Sequence, residues 1–412
     1  MRNLAWLVAS LVACGRPSPD QGAPDAEVAV DAAPGDASTA RSVLWVEWGN
    51  RAGIIAADYQ FGTPVEATLP ADPSLALTSF AAASNRLVYV ARSLTDELDI
   101  GVVAGAHAQT WLSAQPGPGM AALSPDGTAM AIARTANDVE LVRHGAMTSL
   151  SPVIANRAAA IATLAWSPDG RYVAFAGDFT SAGVNELHIV DTTAPTPSAA
   201  MAQTGVVGSI AFGSDDAVYA CASDARLYRF AAASTTGSEV GLPARSDGSA
   251  PDCSALASDP SGAHVLVVAD TPIATAGELY SIDVATGAAT RLTTGSTPGR
   301  APRGPFVFSH AGDRVAFTAN FEQANVSAPY VAALAGGAHR VLDLQQPAAG
   351  AAATSFAWSL DDRTMWMAAT PDLGSVPPML YWVDPARTDN DEPYLIFAPI
   401  EGVQSVALVV SP

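Results

Sequence analysis

Few residues of this chain have the types and spacing that catalysis requires. None of its six histidines stands at a metal-ligand spacing from another. The sequence has no Gly-x-Ser-x-Gly elbow, His-Glu-x-x-His pair, Walker loop or dinucleotide fingerprint. We therefore interpret the histidines as surface or structural residues and predict no catalytic residue, no metal site and no cofactor. They are His107, His144, His188, His264, His310 and His339.

A second candidate chemistry is cation binding by the aspartates of a recurring turn. Asp126 and Asp169 lie in the tetrapeptide Ser-Pro-Asp-Gly at residues 124–127 and 167–170. Calcium needs several oxygen ligands close together, whereas each of these turns offers one carboxylate. Proline presets φ at the second position, aspartate bonds locally, and glycine adopts a positive φ. We interpret both aspartates as parts of structural turns.

The turn recurs along the chain and sets the period of the elements. Units that align with residues 163–178, TLAWSPDGRYVAFAGD, begin at residues 79, 120, 209, 254, 305 and 355. Each turn leads into an apolar strand, and further strand-like runs follow after polar loops. Four short strands per unit, at a period in the forties, predict an all-β fold, the β-propeller.

The chain ends complete this pattern. Residues 43–70 contain three strand-like runs of a unit that lacks its first strand, and residues 404–412, QSVALVVSP, supply a first strand. Closing the ring with that strand removes unpaired edges, which invite aggregation. We predict eight four-stranded blades, one of them closed by the C-terminal strand beside the N-terminal three. Seven blades, with one weaker unit as a decoration, is the alternative.

Phe/Trp-Ser-Pro-Asp-Gly followed by an apolar strand resembles the WD40-like β-propeller repeat of the TolB type, which occurs in exported bacterial proteins. The resemblance covers residues 42–412, although Ser-Pro-Asp-Gly itself is intact only in the two turns named above. It implies a propeller that presents a broad, rigid face to a partner. TolB also has a separate N-terminal domain, for which this chain has no room.

The N-terminus predicts export. A short positive start precedes an apolar run at residues 4–13, which is too short to span a bilayer but is typical of a signal peptide. Leu11-Val12-Ala13-Cys14 resembles the bacterial lipobox, which implies that Cys14 is lipidated and becomes the mature N-terminus. An ordinary secretory signal, or an over-extended start, is the alternative.

These features divide the chain into a lipoprotein signal peptide at residues 1–13, a tether at 14–41 and one propeller domain at 42–412. The tether is rich in Ala, Pro and Asp and lacks aromatic residues, so we expect it to be disordered. Gly15, rather than aspartate, follows the cysteine, which favours the outer membrane. We therefore predict a location in the bacterial cell envelope, either periplasmic or surface-exposed.

Charge restricts the partners. The net charge of −20 disfavours nucleic acid and anionic membrane surfaces, because phosphate groups would be repelled. We expect the protein to contact the membrane only through its lipid anchor. We also expect it to be a monomer. In an exported protein the two remaining cysteines, Cys221 and Cys253, can form a disulfide. Alternatively, Cys221 is a small core residue in the position of Phe175.

A binding site on a propeller belongs on the loops between second and third strands and on the connectors between blades, since rigid scaffolds carry function on their loops. We predict a non-enzymatic protein that binds a protein or peptide partner there. The alternatives are a channel-mouth enzyme such as a carbohydrate lyase or hydrolase, and an accessory propeller to a separate peptidase. The exposed candidates are Asp178, Phe179, Asn185, Arg300, Arg303, Phe321, Glu322 and Asn325.

Overall fold

The structure is a computed structural model, and it describes the chain in segments. Strands before Met120 and after residue 402 are described by their backbone pairing. The described residues are 41–48, 51–55, 65–69, 76–83, 86–92, 97–104, 107–116, 120–133, 138–143, 146–151, 161–179, 184–194, 200–203, 205–232, 234, 236–273, 276–294, 297–322, 327–341, 352–359, 361–370, 379–386 and 403–411. Cys14, Asn325, the signal segment and the tether before Arg41 lie outside them.

The described strands form eight antiparallel sheets, named A to H, which confirms the prediction of an all-β fold built from four-stranded units. No helix long and apolar enough to cross a membrane occurs in the described ranges. The strands of the first four sheets are β1 (Arg41–Trp48), β2 (Arg51–Ile55) and β3 (Val65–Leu69) in A; β4 (Ala76–Ala83), β5 (Arg86–Arg92), β6 (Glu97–Ala104) and β7 (His107–Pro116) in B; β8 (Met120–Leu123), β9 (Ala129–Ala133), β10 (Val139–Arg143) and β11 (Ala146–Ser149) in C; and β12 (Ile161–Trp166), β13 (Tyr172–Gly177), β14 (Glu186–Asp191) and β15 (Ala200–Gln203) in D.

Sheets E to H continue the same order. Three strands are described in sheet H, and residues 394–400, where the sequence contains a further strand-like run, lie outside the described ranges. The strands are β16 (Val206–Phe212), β17 (Val218–Ala222), β18 (Leu227–Phe230) and β19 (Ser238–Glu239) in E; β20 (Cys253–Ser258), β21 (His264–Ile273), β22 (Ala276–Asp283) and β23 (Ala289–Arg291) in F; β24 (Pro302–Phe308), β25 (Arg314–Ala319), β26 (Ala328–Ala333) and β27 (Ala338–Arg340) in G; β28 (Ala352–Trp358), β29 (Met365–Thr370) and β30 (Met379–Val383) in H; and β31 (Val403–Ser411).

β31 completes sheet A. It pairs antiparallel with β1 along its whole length, from Arg41 opposite Ser411 to Trp48 opposite Val403. The first strands of neighbouring sheets also contact one another, as β12 contacts β16 and β28 contacts β31. The first strands therefore gather at one side of the sheets, and the fourth strands lie at the opposite edges.

The core lies between successive sheets. β13 is buried at every residue because one of its faces packs on sheet C and the other on sheet E. Alternate residues divide between these interfaces: Phe175 packs towards sheet C and Ala174 towards sheet E. A strand buried on both faces has an unbroken apolar sequence, which explains YVAFAG.

Candidate binding face

The sheets have two ends with different contents. We call the end that carries the turns between first and second strands the turn face. The opposite end, with the loops between second and third strands and the connectors between sheets, is the loop face. From the sequence we predicted a structural role for the turn face and partner binding for the loop face.

The turn face has one repeated geometry. In six turns the backbone N–H of the fourth residue donates to the carbonyl of the first, as from Gly170 to Ser167 at 2.9 Å. The fourth residue has a φ between 54° and 72° in every case. This confirms the predicted turn. The fourth residues are Gly127, Gly170, Asp216, Gly262, Gly312 and Asp362.

The carboxylates of the turn aspartates are hydrogen-bonded within their own turns. The Ser167 hydroxyl donates to Asp169 at 2.6 Å, and the Arg171 backbone N–H donates to the same oxygen at 2.9 Å. Asp126 has the same arrangement. Burial opposes ionisation there, but hydrogen bonds from Ser124 and Thr128 outweigh it and hold the pKa of Asp126 below its ordinary value. In the described residues no group of three or more metal-ligating side chains is present.

On the loop face of sheet D, Phe179 was predicted to be exposed, and that prediction is wrong. Phe179 is 1% exposed, and its ring meets those of Phe175 at 5.6 Å and His188 at 4.7 Å. The side chain folds back between sheets C and D because its apolar area is more stable out of water than at a loop tip. Asn185 is half-buried, and its amide bonds the carbonyl of Val206 at 3.4 Å.

His188 is a buried member of this cluster. It is 4% exposed, stacks on Phe175 at 5.4 Å, and has no hydrogen bond to either ring nitrogen among the described residues. Burial lowers the pKa of His188 below its ordinary value, against the opposing effect of Glu186, whose carboxylate lies 3.8 Å away. The imidazole is therefore a neutral structural group. The same register position holds tyrosine in four other sheets: Tyr228, Tyr280, Tyr330 and Tyr381.

On sheet G the structure brings three predicted residues together. The Arg300 guanidinium donates to the carbonyl of Phe321, whose ring meets Tyr330 edge-on at 5.1 Å. Glu322 forms an ion pair with Arg340 and accepts a 3.4 Å hydrogen bond from the Tyr330 hydroxyl. Burial and the Glu322 charge raise the pKa of Tyr330 to about 12.

Sequence reasoning missed the residues that fix the connectors. Asn320 ends the second strand of sheet G; its carbonyl oxygen accepts from the Ala301 N–H at 2.8 Å, and its amide donates to Gly299 at 3.3 Å. Asp270 occupies the same place in sheet F and bonds both the Asp252 N–H and Arg245. A signal was present, because a polar residue follows the apolar second strand in both units. Asp178 occupies this place in sheet D.

Arg303 was predicted to lie in a connector, and that prediction is wrong. It lies in β24, opposite Thr318, and is exposed. The flanking Pro302 and Pro305 gave the segment the composition of a loop, but proline is tolerated on an edge strand, where an N–H is not needed for the ladder. Arg303 is considered further below.

The cysteines lie at the loop-face end of sheets E and F. Cys221 and Cys253 are joined in the structure, with Cα atoms 5.6 Å apart, within the usual range for a disulfide. The alternative interpretation, that Cys221 takes the position of Phe175, is wrong by one residue.

The error comes from the turn of sheet E, which is one residue shorter than the corresponding turns of sheets C, D, F, G and H. Phe212 pairs with Val218, six residues later, whereas Trp166 pairs with Val173, seven later. A shift of one residue moves a side chain to the opposite face of a strand. Cys221 therefore corresponds to Ala176 and packs towards sheet F, where Cys253 lies.

A cleft of about 260 Å³ lies on the outside of this junction. The connector between sheets E and F forms one wall with Val240, Leu242 and Pro251. At its rim Arg226 and Glu239 are paired with each other at 2.7 Å, so the rim presents no unpaired charge from these two residues.

No protein-family model matches the chain, and no curated protein is significantly similar to it in sequence. Apo AztD from Citrobacter koseri has 10% identity and a TM-score of 0.55, over 90% of this chain and 98% of that chain. The β-propeller domain of the Trilobed protease from Pyrococcus furiosus has 13% identity and a TM-score of 0.50, over 79% and 98%. An oligogalacturonate lyase in complex with manganese has 15% identity and a TM-score of 0.50, over 73% and 86%.

Sequence identities this low establish a shared fold and no shared function. The structural similarity to these proteins, together with the repeated four-stranded antiparallel sheets, shows that this chain is a β-propeller protein.

Proposed function

We propose that the chain is an exported, lipid-anchored β-propeller of eight blades whose loop face binds a protein or peptide partner in the bacterial cell envelope. The eight sheets are the eight blades, and pairing of β31 with β1 closes the ring. The contacts of β31 with both β28 and β4 support this closure, because they link sheet A to sheet H on one side and to sheet B on the other.

The observation that carries the binding function is the fixed state of the loop-face connectors. Arg245 lies 2.7 Å from Asp252 and is also paired with Asp270, which holds the connector before β20 against strand β21. Asn320 does the same for the connector before β24. A surface ordered before contact loses less conformational entropy on binding, so it binds more tightly for the same contacts.

The turn face provides a built-in contrast. Its carboxylates and backbone groups are used within and between the turns, and the same turn hydrogen bond recurs from sheet to sheet. We therefore place the partner on the loop face.

Photo-crosslinking from two matched alanines tests this assignment. Ala250 is exposed on a loop-face connector, and Ala285 is exposed on the turn face between β22 and β23. A photoreactive amino acid at residue 250, in the lipidated protein in its native membrane, is expected to capture a defined protein adduct, and the same group at residue 285 is expected to capture none. Capture from residue 285 alone would assign the partner to the turn face. Absence of an adduct at both positions would overturn the proposal of partner binding.

The enzyme alternative is tested on the same preparation. Its support is the fold shared with the lyase, and turnover of an acidic polysaccharide panel without any captured protein would favour it. The accessory-propeller alternative is supported by the fold shared with the protease domain, and a captured peptidase would favour it.

The anchor is tested with Cys14→Ser. The variant is expected to lose globomycin-sensitive processing and membrane association. A Cys14→Ser protein that is processed normally and stays on the membrane would refute the anchor and leave the binding proposal standing.

A further inference from the structure

The first strands of the sheets are almost free of charge. The chain has 20 basic and 40 acidic residues, yet the eight strands β4, β8, β12, β16, β20, β24, β28 and β31 contain one charged residue, Arg303. These are the strands that gather at one side of the sheets. In the proposed ring they surround the central channel.

Arg303 also differs from the other arginines with described side chains. It is exposed and has no hydrogen bond or ion pair from its guanidinium within the described ranges. Each of the others has a polar or charged partner, as Arg171 has in Asp191 at 2.7 Å and Arg291 has in Glu278 at 2.8 Å. An unpaired guanidinium in a protein of net charge −20 is the local point of attraction for an anion.

The backbone around Arg303 departs from the regular strand ladder. The pairing of β24 shifts between Arg303 and Val307, and the exposed Gly304 lies in this bulge. The first strands of the three preceding sheets are irregular at the matching place, where small exposed residues stand: Ala162, Gly208 and Ser254. Bulges disrupt the ladder locally, so these walls carry little side-chain bulk. In the bulge of β24 the carbonyls of Arg303 and Gly304 accept from the Thr318 hydroxyl at 3.2 and 3.3 Å.

We infer that Arg303 binds a carboxylate of an extended peptide segment that enters the channel, so that the partner is selected for an aspartate, a glutamate or a free C-terminus. A guanidinium donates two parallel hydrogen bonds to a carboxylate, and the charge-free walls leave that pair without competitors. Small exposed residues at the bulges, such as Gly304 and Ala162, suit an extended peptide, because its backbone can approach such walls closely. This inference rests on the proposed partner-binding function.

A display library of random peptides with free C-termini, selected on the full-length lipidated protein in detergent micelles, tests the inference. The wild-type protein is expected to enrich peptides with a carboxylate at one fixed position. Arg303→Gln is expected to lower the affinity for those peptides by roughly 10- to 100-fold, the usual effect of losing a charge-assisted hydrogen bond. Replacing the peptide carboxylate by an amide should cause the same loss in wild type and no further loss in Arg303→Gln.

Arg363→Gln is the matched control. Arg363 is 87% exposed on the turn face, so the substitution removes the same charge from the other end of the molecule. It is expected to change affinity less than twofold. Circular dichroism should show both variants folded, because neither side chain is buried.

The outcomes separate the two proposals. Enriched peptides that bind Arg303→Gln as tightly as wild type would overturn the carboxylate site and leave peptide binding intact. No enriched peptide at all would overturn both. Binding of an acidic oligosaccharide array that depends on Arg303, without peptide enrichment, would assign the arginine to the enzyme alternative and overturn the peptide.

Discussion

The turn face and the loop face are built from the same repeat but follow different rules. On the turn face the six described turns share a hydrogen bond and a positive φ. On the loop face a different interaction fixes the backbone at each site. A cysteine pair joins sheets E and F, an arginine with two aspartates fixes the connector to F, and an asparagine fixes the connector to G. The repeated geometry is what every sheet needs, whereas in the proposed function the varied contacts of the loop face serve one partner.

The largest expected effect comes from the cysteine pair. Cys221 and Cys253 are 32 residues apart in sequence, and a bridge that closes such a loop stabilises the fold by ~3–4 kcal/mol. We expect the Cys221→Ser, Cys253→Ser double variant to lose that amount in denaturant unfolding, and the wild-type protein in reductant to match it. A wild-type protein whose midpoint does not change with reductant would contradict the bridge.

Asp362 adopts the shared turn geometry but also bonds a neighbouring turn, and it should have the next largest effect. Its carboxylate oxygens accept from the backbone N–H groups of His310 and Ala311, each at 2.8 Å, so the turn of sheet H caps the turn of sheet G. Asp362→Gly relieves a positive φ but removes both bonds. We expect a net loss of about 1–2 kcal/mol in unfolding free energy, because charge-assisted bonds outweigh the backbone strain.

Asp216 stands at the same turn position in sheet E with the opposite expected outcome. Burial and then the neighbouring Asp169 carboxylate raise its pKa, so the contact is between like charges. Asp216→Gly should stabilise the protein by about 0.5 kcal/mol, since it removes that repulsion and the positive φ. A loss comparable to that of Asp362→Gly would show that the two aspartates have the same role.

His188 gives the smallest effect, and one that depends on pH. Its folded pKa is lowered from 6.5 by burial, so the unfolded chain binds more protons once the pH falls below that value. The contribution of His188 to stability should therefore be constant well above pH 6.5 and decline as the pH falls through the window below it. His188→Phe keeps the ring stacked on Phe175 and should remove this decline. A decline of equal size in the variant would assign it to other groups.

The sequence predicted the repeated parts of the molecule better than the single ones. Ser-Pro-Asp-Gly specifies its own geometry, so the turns and the apolar strands after them follow from local residue preferences. Phe179 and Cys221 could not be placed that way. Whether Phe179 faces solvent depends on the packing of sheet C, and the face of Cys221 depends on a one-residue difference in turn length that an ungapped alignment hides.

The binding candidates show the same division. Asn320 and Asp270 had a readable signal, a polar residue at the end of an apolar strand, but only the folded connector shows what they hold. Arg303 was named for its charge, and its isolation became visible when the first strands were gathered at one side.

The corrected position of Cys221 has a use in engineering. The pairs Ala133 with Ile161, Ala176 with Val206, and Val268 with Pro302 occupy the same places at three other junctions between sheets. All six residues are buried, and cysteines at each pair would take the places that Cys221 and Cys253 occupy between sheets E and F. Stapling them one at a time would show at which junction a ring of this kind first comes apart.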